Sequence, residues 1–196
     1  MLSIKDQFFE VRPTGIPLSK GKLLLSAPFI ADGYFDRTVI LLVEYGEEGA
    51  MGLILNRPIH VYMKDVLPGL PECGFPVYNG GPVALNQLFF LHNYEQLSDG
   101  AVPVGGGCFF GGSGEEVCSL LKVNLLEEER IRFFVGYAGW SAGQLERELE
   151  ERSWLVADHP EEGLLLSDDR LWRQVVCRLG DQYRVWLEVP DKAYYN

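Results

Sequence analysis

Residues 139–143, Gly-Trp-Ser-Ala-Gly, spell G-x-S-x-G, the pattern that exposes a nucleophilic serine when it occupies a tight strand-to-helix turn. The apolar run of Ile131, Phe133, Phe134 and Val135 before it and the helix-forming residues after it supply that setting. Nucleophilic catalysis also requires a base oriented by an acid, and in the α/β-hydrolase order acid and then histidine follow the serine. Only His159 follows Ser141, its neighbour Asp158 is too near in sequence to orient it, and fewer than 60 residues remain for other loops. The same residues have a structural use. As N-cap, the Ser141 hydroxyl would accept from a first-turn amide while Gln144 reaches back from N3, the S-x-x-Q form of the capping box. Ser141 is therefore predicted to open a helix rather than attack a substrate.

Two further enzymatic arrangements are open: His92 as base with Asp32 as its orienter, or the thiol of Cys108 as nucleophile. Metal chemistry is not expected. Cys73, Cys108, Cys118 and Cys177 contain no C-x-x-C pair, and His60, His92 and His159 are dispersed, so neither zinc-ligand nor redox spacing is present. The acidic pairs, such as Glu115-Glu116 and Asp168-Asp169, lack the alternating spacing that makes oxygens converge on calcium. Residues 104–114 are glycine-rich and precede a helix, where a nest of amides could hold an anion. No P-loop lysine follows, and Glu115 and Glu116 occupy the first turn, so nucleotide binding is not expected, nor any other cofactor. Gly80-Gly81-Pro82 reads as a tight turn, with presentation of main-chain amides to a ligand as the alternative.

These exclusions leave a polar set with no packing role visible in the sequence: Asp32, Arg37, Asn56, His92 and Gln144. Asp32 and Arg37 precede one predicted strand, and Asn56 and His92 each end another. If those ends share a sheet edge, the set forms a cleft with Gly80 and Gly81, a candidate ligand-binding site. Each residue also has a structural alternative: Arg37 pairing with Asp32, Asn56 making an Asx turn before Arg57-Pro58, and His92 hydrogen-bonded in place.

The elements that must position them are short. Strands are predicted over 22–27, 38–45, 51–56, 77–79, 87–92, 131–137, 164–166 and 183–189 from β-branched and aromatic content between glycines and prolines. A turn or two of helix is predicted within 61–67 and a helix over 115–122 capped by Ser113. A third follows Ser141, with Leu145 and Leu149 on one face, and a fourth opens at Ser167, carrying Leu171, Trp172, Val175, Val176 and Leu179 until Gly180 ends it. Trp140 and Trp154 bracket the third helix and are expected to clamp it to a sheet. Cys177 is placed on the apolar side of the fourth. No repeat or long linker divides the chain, so residues 1–20 form an N-terminal arm or short helix and 21–196 a single domain. Strands dominating the first half and mixing with helices in the second argue for α+β over a regular parallel sheet.

Gly136-Tyr137, Trp140, then Gly143-Gln144-Leu145-Glu146 and Glu148, followed by Trp154-Leu155, resembles the signature of the YqgE/AlgH family, bacterial proteins of unassigned function. Segments 32–39, 49–58, 80–82 and 90–92 resemble other family motifs in the same order, so the likeness spans about residues 21–180. Gly33 stands where proline is usual and Tyr45 where histidine often follows the glutamate. The position of Ser141 is not restricted to serine in that family. The resemblance implies an α+β fold with a bent, mostly antiparallel sheet curled into a partial barrel and helices packed outside.

With 28 Asp and Glu against 17 Lys and Arg, the net charge is −11, a field that repels phosphate backbones and anionic membranes. The N-terminus lacks a signal-peptide core and the longest apolar run is far shorter than a bilayer, so a cytoplasmic location with reduced thiols is expected. Three functional readings follow. The preferred one is a non-catalytic binding or regulatory protein whose partner is another protein or a small molecule, with a homo-oligomer left open. The second is a transcriptional regulator acting indirectly or by DNA contact, against which the charge and the absence of a basic helix-turn-helix argue. The third is a small enzyme using His92 and Asp32 or a cysteine.

Overall fold

Val39, Ile40, Leu41, Leu42 and Val43 are all fully buried, which a strand achieves only when both of its faces are covered. Val39, Leu41 and Val43 join a central core while Ile40 and Leu42 join the core on the opposite face, as a period of two requires. The computed structural model describes residues 11–28, 33–71, 74–160, 164–166 and 170–189. Over these residues the chain is α+β.

Ten strands occur in chain order: β1 (Leu23–Ser26), β2 (Val39–Gly46), β3 (Gly49–Ile54), β4 (Pro58–Tyr62), β5 (Pro76–Asn79), β6 (Val83–His92), β7 (Ala101–Gly105), β8 (Cys108–Gly111), β9 (Ile131–Ser141) and β10 (Trp154–Ala157). They form one sheet in the order β10-β1-β2-β3-β9-β6-β8-β7, with β5 also paired to β9 and β4 to β5. Every pairing is antiparallel except β5 with β9. The sheet curves enough to bring Val104 of β7 and Cys108 of β8 into one core with Leu23 of β1 and Leu41 of β2. No ladder among the described residues joins β7 to β10, so it is not closed into a barrel.

The helices are α1 (Met63–Val66), α2 (Gly114–Lys122), α3 (Gln144–Glu150) and α4 (Leu171–Leu179). Helix α4 covers the central core with Trp172, Val175 and Val176, α3 covers the opposite face with Leu145, and α1 and α2 close a third core over Phe90 and Phe133. Ser113 caps α2 as expected, its hydroxyl accepting from the Glu116 amide at 3.2 Å.

Strand β9 is shared between two branches. Residues 131–135 lie between β6 and β5, whereas residues 138–141 pair with β3. The neighbour changes at Gly136, whose φ is +72°. Gly80 and Gly81 meet this bend backbone to backbone. The Gly80 amide donates to Val135 O and its carbonyl accepts from the Ile54 amide, both at 2.9 Å. A Cβ on Gly80 would lie 2.2 Å from Gly136 O, and one on Gly81 2.0 Å from the Tyr137 carbonyl carbon. The Gly-Gly-Pro segment is thus a close backbone crossing, not simply a tight turn.

Several expected elements differ. Most of the glycine-rich stretch 104–114, expected as a loop before a helix, belongs to the β7–β8 hairpin over residues 101–111, with Gly105, Gly106 and Gly107 at φ of +89°, +59° and +69° supplying its turn. Strands β4 and β10 were not predicted from the sequence. The expected strands at 164–166 and 183–189 are 3-10 segments, Leu164–Leu166 and Asp181–Glu188. In the second, Tyr183 and Trp186 are both 1% exposed, and a three-residue spacing aligns them on one 3-10 face. Cys177 is exposed, on the face of α4 away from Trp172. Ser167 lies outside the described residues.

Replacing Gly81 with alanine is expected to cost more than about 3 kcal/mol or abolish folding, since the backbones of the two crossing segments would have to separate. Gly114→Ala, in open space at the start of α2, is expected to stabilise by about 0.5 kcal/mol. Urea unfolding followed by circular dichroism reads both signs.

Candidate functional site

Asn56, 7% exposed just beyond β3, is a side-chain splint. Its Oδ1 accepts from the Val39 amide and its Nδ2 donates to Arg37 O, each at 2.9 Å, so it continues the β2–β3 pairing past the last ladder rung. Arg37 has φ of +50°. Its guanidinium donates to Val189 O and lies 5.5 Å from the centre of the Trp172 ring. Burial lowers its pKa from the ordinary arginine value. Nearby, the Tyr34 hydroxyl donates to Asn79 Oδ1 at 2.9 Å and the Gly81 amide donates to the same atom at 3.0 Å. Arg37 and Asn56 are therefore brought together, and Gly80 and Gly81 are tied to the neighbouring 3-10 turn, Gly33–Phe35. Asp32 lies outside the described residues.

His92 stands apart. Val83, at the Gly81 end of β6, is nine residues from it, roughly 25 Å or more along a strand. The imidazole is fully buried, with Nδ1 accepting from the Tyr94 amide at 3.2 Å and Nε2 donating to Gly111 O at 3.1 Å. Phe109 stacks on it at 5.6 Å. Both nitrogens are committed to main chain, and burial lowers the pKa from the usual histidine value. The ring has no lone pair left to accept a proton from substrate. Cys108 is 5% exposed and burial raises its pKa, so its sulfur stays protonated at neutral pH and is a poor nucleophile.

Gln144 lies at the other end of β3 from Asn56, since Ser141 pairs with Gly49. The Ser141 expectation needs correction. The N-cap of α3 is Gly143, at φ of +69°, and Ser141 is the last residue of β9. Gln144 does reach back: its Oε1 accepts from the Ser141 amide at 3.0 Å and from the hydroxyl at 3.1 Å. The hydroxyl is thus a donor to a side chain, not a helix cap, and its partner is an amide rather than an imidazole.

Glu148 is the hub that sequence reading missed. Its Oε2 accepts from the indoles of Trp140 at 2.8 Å and Trp154 at 2.7 Å, and its Oε1 from Gln144 Nε2 at 2.9 Å. The rings meet edge to face at 6.0 Å. Two buried indole N–H groups flanking one short acidic helix were the available signal, because each needs an acceptor. Arg132 was also missed. It is 7% exposed, donates to Leu55 O at 3.0 Å and lies 4.1 Å from the centre of the Tyr78 ring.

One concave surface has no such internal commitment. A groove of about 420 Å³ opens at the β2–β3 end of the sheet, floored by Met51, Tyr137, Gly139 and Val83 and edged by Glu44 and Glu48. It is the candidate functional site. No group of three His, Cys, Asp or Glu among the described residues is placed to hold a metal ion. Among them, too, no helix is long and apolar enough to cross a membrane.

The AlgH-like family, DUF179, matches residues 23–184. This chain belongs to that family. A UPF0301 protein of Bacteroides thetaiotaomicron is 34% identical over 100% of both chains, and one from Chlorobaculum tepidum is 41% identical over 91% of this chain and 96% of its own. The solution structure of AlgH from Pseudomonas aeruginosa is 29% identical, with TM-score 0.69 over 90% of this chain and 99% of that one. A Corynebacterium diphtheriae crystal structure at 22% identity has TM-score 0.76 over 94% and 98% of the two chains, showing the same fold. In this AlgH-like chain the motif residues Asn56, Gly80, Gly81, His92, Trp140 and Glu148 are all internal struts.

Because the folded-state pKa of His92 is lowered, acidification protonates the unfolded chain first. The stabilisation is complete above about pH 6.5 and is lost as pH falls below that value. His92→Gln should flatten the decline between pH 7 and 5 by at most about 1.4 kcal/mol per pH unit, read from urea midpoints. Glu148→Ala should cost about 2 kcal/mol and red-shift tryptophan emission, and Glu148→Gln, which keeps an acceptor, should cost less than half as much.

Proposed function

We propose that this AlgH-like chain is a non-catalytic binding or regulatory protein whose partner, another protein or a small molecule, seats in the groove edged by Glu44 and Glu48. The observation that carries this reading is the contrast between two sets of residues. His92, Cys108 and Ser141, three residues whose types could do chemistry, are held by internal hydrogen bonds or burial, while Met51, Tyr137 and Val83 line an open concavity. A groove of this size falls within the range of ligand sites. Regulation of transcription fits the same reading when it proceeds through a protein partner, since the −11 charge opposes contact with duplex DNA.

Tagged wild-type chain and a Val83→Asp variant, purified gently from the parent organism, separate the outcomes. Mass spectrometry should find a protein or small molecule retained by the wild type and lost from the variant, with both chains folded by circular dichroism. Absence of any retained species, or turnover of a retained molecule, would reject the proposal.

A further inference from the structure

We infer that the groove takes a protein segment in which basic side chains flank an apolar anchor. The inference rests on the binding role proposed above and names the chemistry of the partner. Cross-strand register puts Glu44, Met51, Val83, Tyr137 and Gly139 of the lining on one face: Glu44 of β2 opposes Met51 of β3, Met51 opposes Gly139 of β9, and Tyr137 opposes Val83 of β6. This is the face of the central core, since Met51 and Tyr137 both pack against it. The groove is the end of that core where no helix among the described residues contributes to the lining.

Its floor is apolar and adaptable. Gly139 leaves a gap opposite Met51, and a Cβ there would come within 3.0 Å of the Tyr137 ring. Gly49 cannot carry a side chain, because a Cβ would lie 2.2 Å from Trp140 O. The gap is bordered by a thioether, a phenol ring and a branched aliphatic group, a combination that moulds to an aliphatic or aromatic anchor. Val83 is 39% exposed and Leu85, two residues on, is 60% exposed, so apolar surface continues beyond the groove. Ala84, at φ of +52°, sits in the bulge that turns this segment outward.

The rim selects the sign of the partner. Glu44 and Glu48 are exposed, have no hydrogen-bond or ion-pair partner among the described residues, and are joined in the same turn by Glu47. Among the described residues, no lysine or arginine lines the groove. Unpaired carboxylates beside an apolar floor repel acidic segments and phosphates and attract Lys and Arg, which sets specificity and association rate more than affinity. A second apolar cavity, about 350 Å³ between α3 and β10, is already walled by the chain's own residues 11 and 13–16, with the Thr14 hydroxyl bonded to Val156 O at 2.7 Å.

The test is an NMR titration of the full chain, isotopically labelled, with a hexapeptide amide carrying a central Leu-Phe pair flanked by two lysines on each side. Its counterpart has glutamates in place of the lysines. Saturable shifts are expected at Met51, Val83 and Gly139 with the basic peptide and none with the acidic one. The double variant Glu44→Lys with Glu48→Lys should weaken binding at least about tenfold. The variant Glu129→Lys with Glu151→Lys, which changes net charge equally at exposed sites elsewhere, should leave the dissociation constant within about twofold. Absence of binding, shifts scattered over the surface, or equal weakening in both double variants would overturn the inference. The binding role itself would still stand if the co-purified species depended on Val83, so the two failures are distinguishable.

Discussion

Everything else in the fold hangs on the crossing of Gly80-Gly81 over β9 at Gly136. There, two backbones approach so closely that no Cβ fits on any of the three glycines. The contact lets one strand serve two branches, β5 and β4 on one side and β3, β2, β1 and β10 on the other. Without the left-handed bend at Gly136, β9 could not leave β5 and take up β3, and the central core and the core under α1 and α2 would have no common wall. The hydrogen bonds from Ile54 to Gly80 and from Gly80 to Val135 lock the two branches at that point.

From that junction the polar struts follow in order. Asn56 extends the β2–β3 pairing, Asn79 ties the 3-10 turn to Gly81, and His92 with Gly111 and Tyr94 secures the far end of β6 against β8. Glu148 does the same for α3, gathering Trp140 from β9 and Trp154 from β10. Asn56 and His92 are polar, specific in geometry and buried, which is why they stand out as candidate site residues when only the sequence is read. Buried donors and acceptors must be paired whatever the protein does.

How much of this was legible depended on whether the local pattern had one physical meaning. The β-branched run from Val39 to Val43 pointed to a strand, and Ser113 with Glu116 to the start of a helix. The glycine-rich segment at 104–114 was ambiguous, because the same left-handed glycines serve a loop or a hairpin turn, and cross-strand partners decide. Tyr183, Val185 and Leu187 alternate like a strand, yet Trp172 stacks on Trp186 and rewards a spacing of three instead. Of the polar set, Arg37 and Asn56 are brought together, the Asn56 amide donating to Arg37 O. His92 and Gln144 are not, since the length of β6 and the direction of β3 separate them. The groove was invisible, because its residues converge only through register between strands distant in sequence.

A strand held in common by both branches has a bearing on how the molecule opens. Fraying β6 from residues 131–135 of β9 exposes one core, while peeling β3 from residues 138–141 exposes another. Both openings pull on the same glycine hinge, so neither branch can detach as an independent foldon, and the protein should melt as a single cooperative unit.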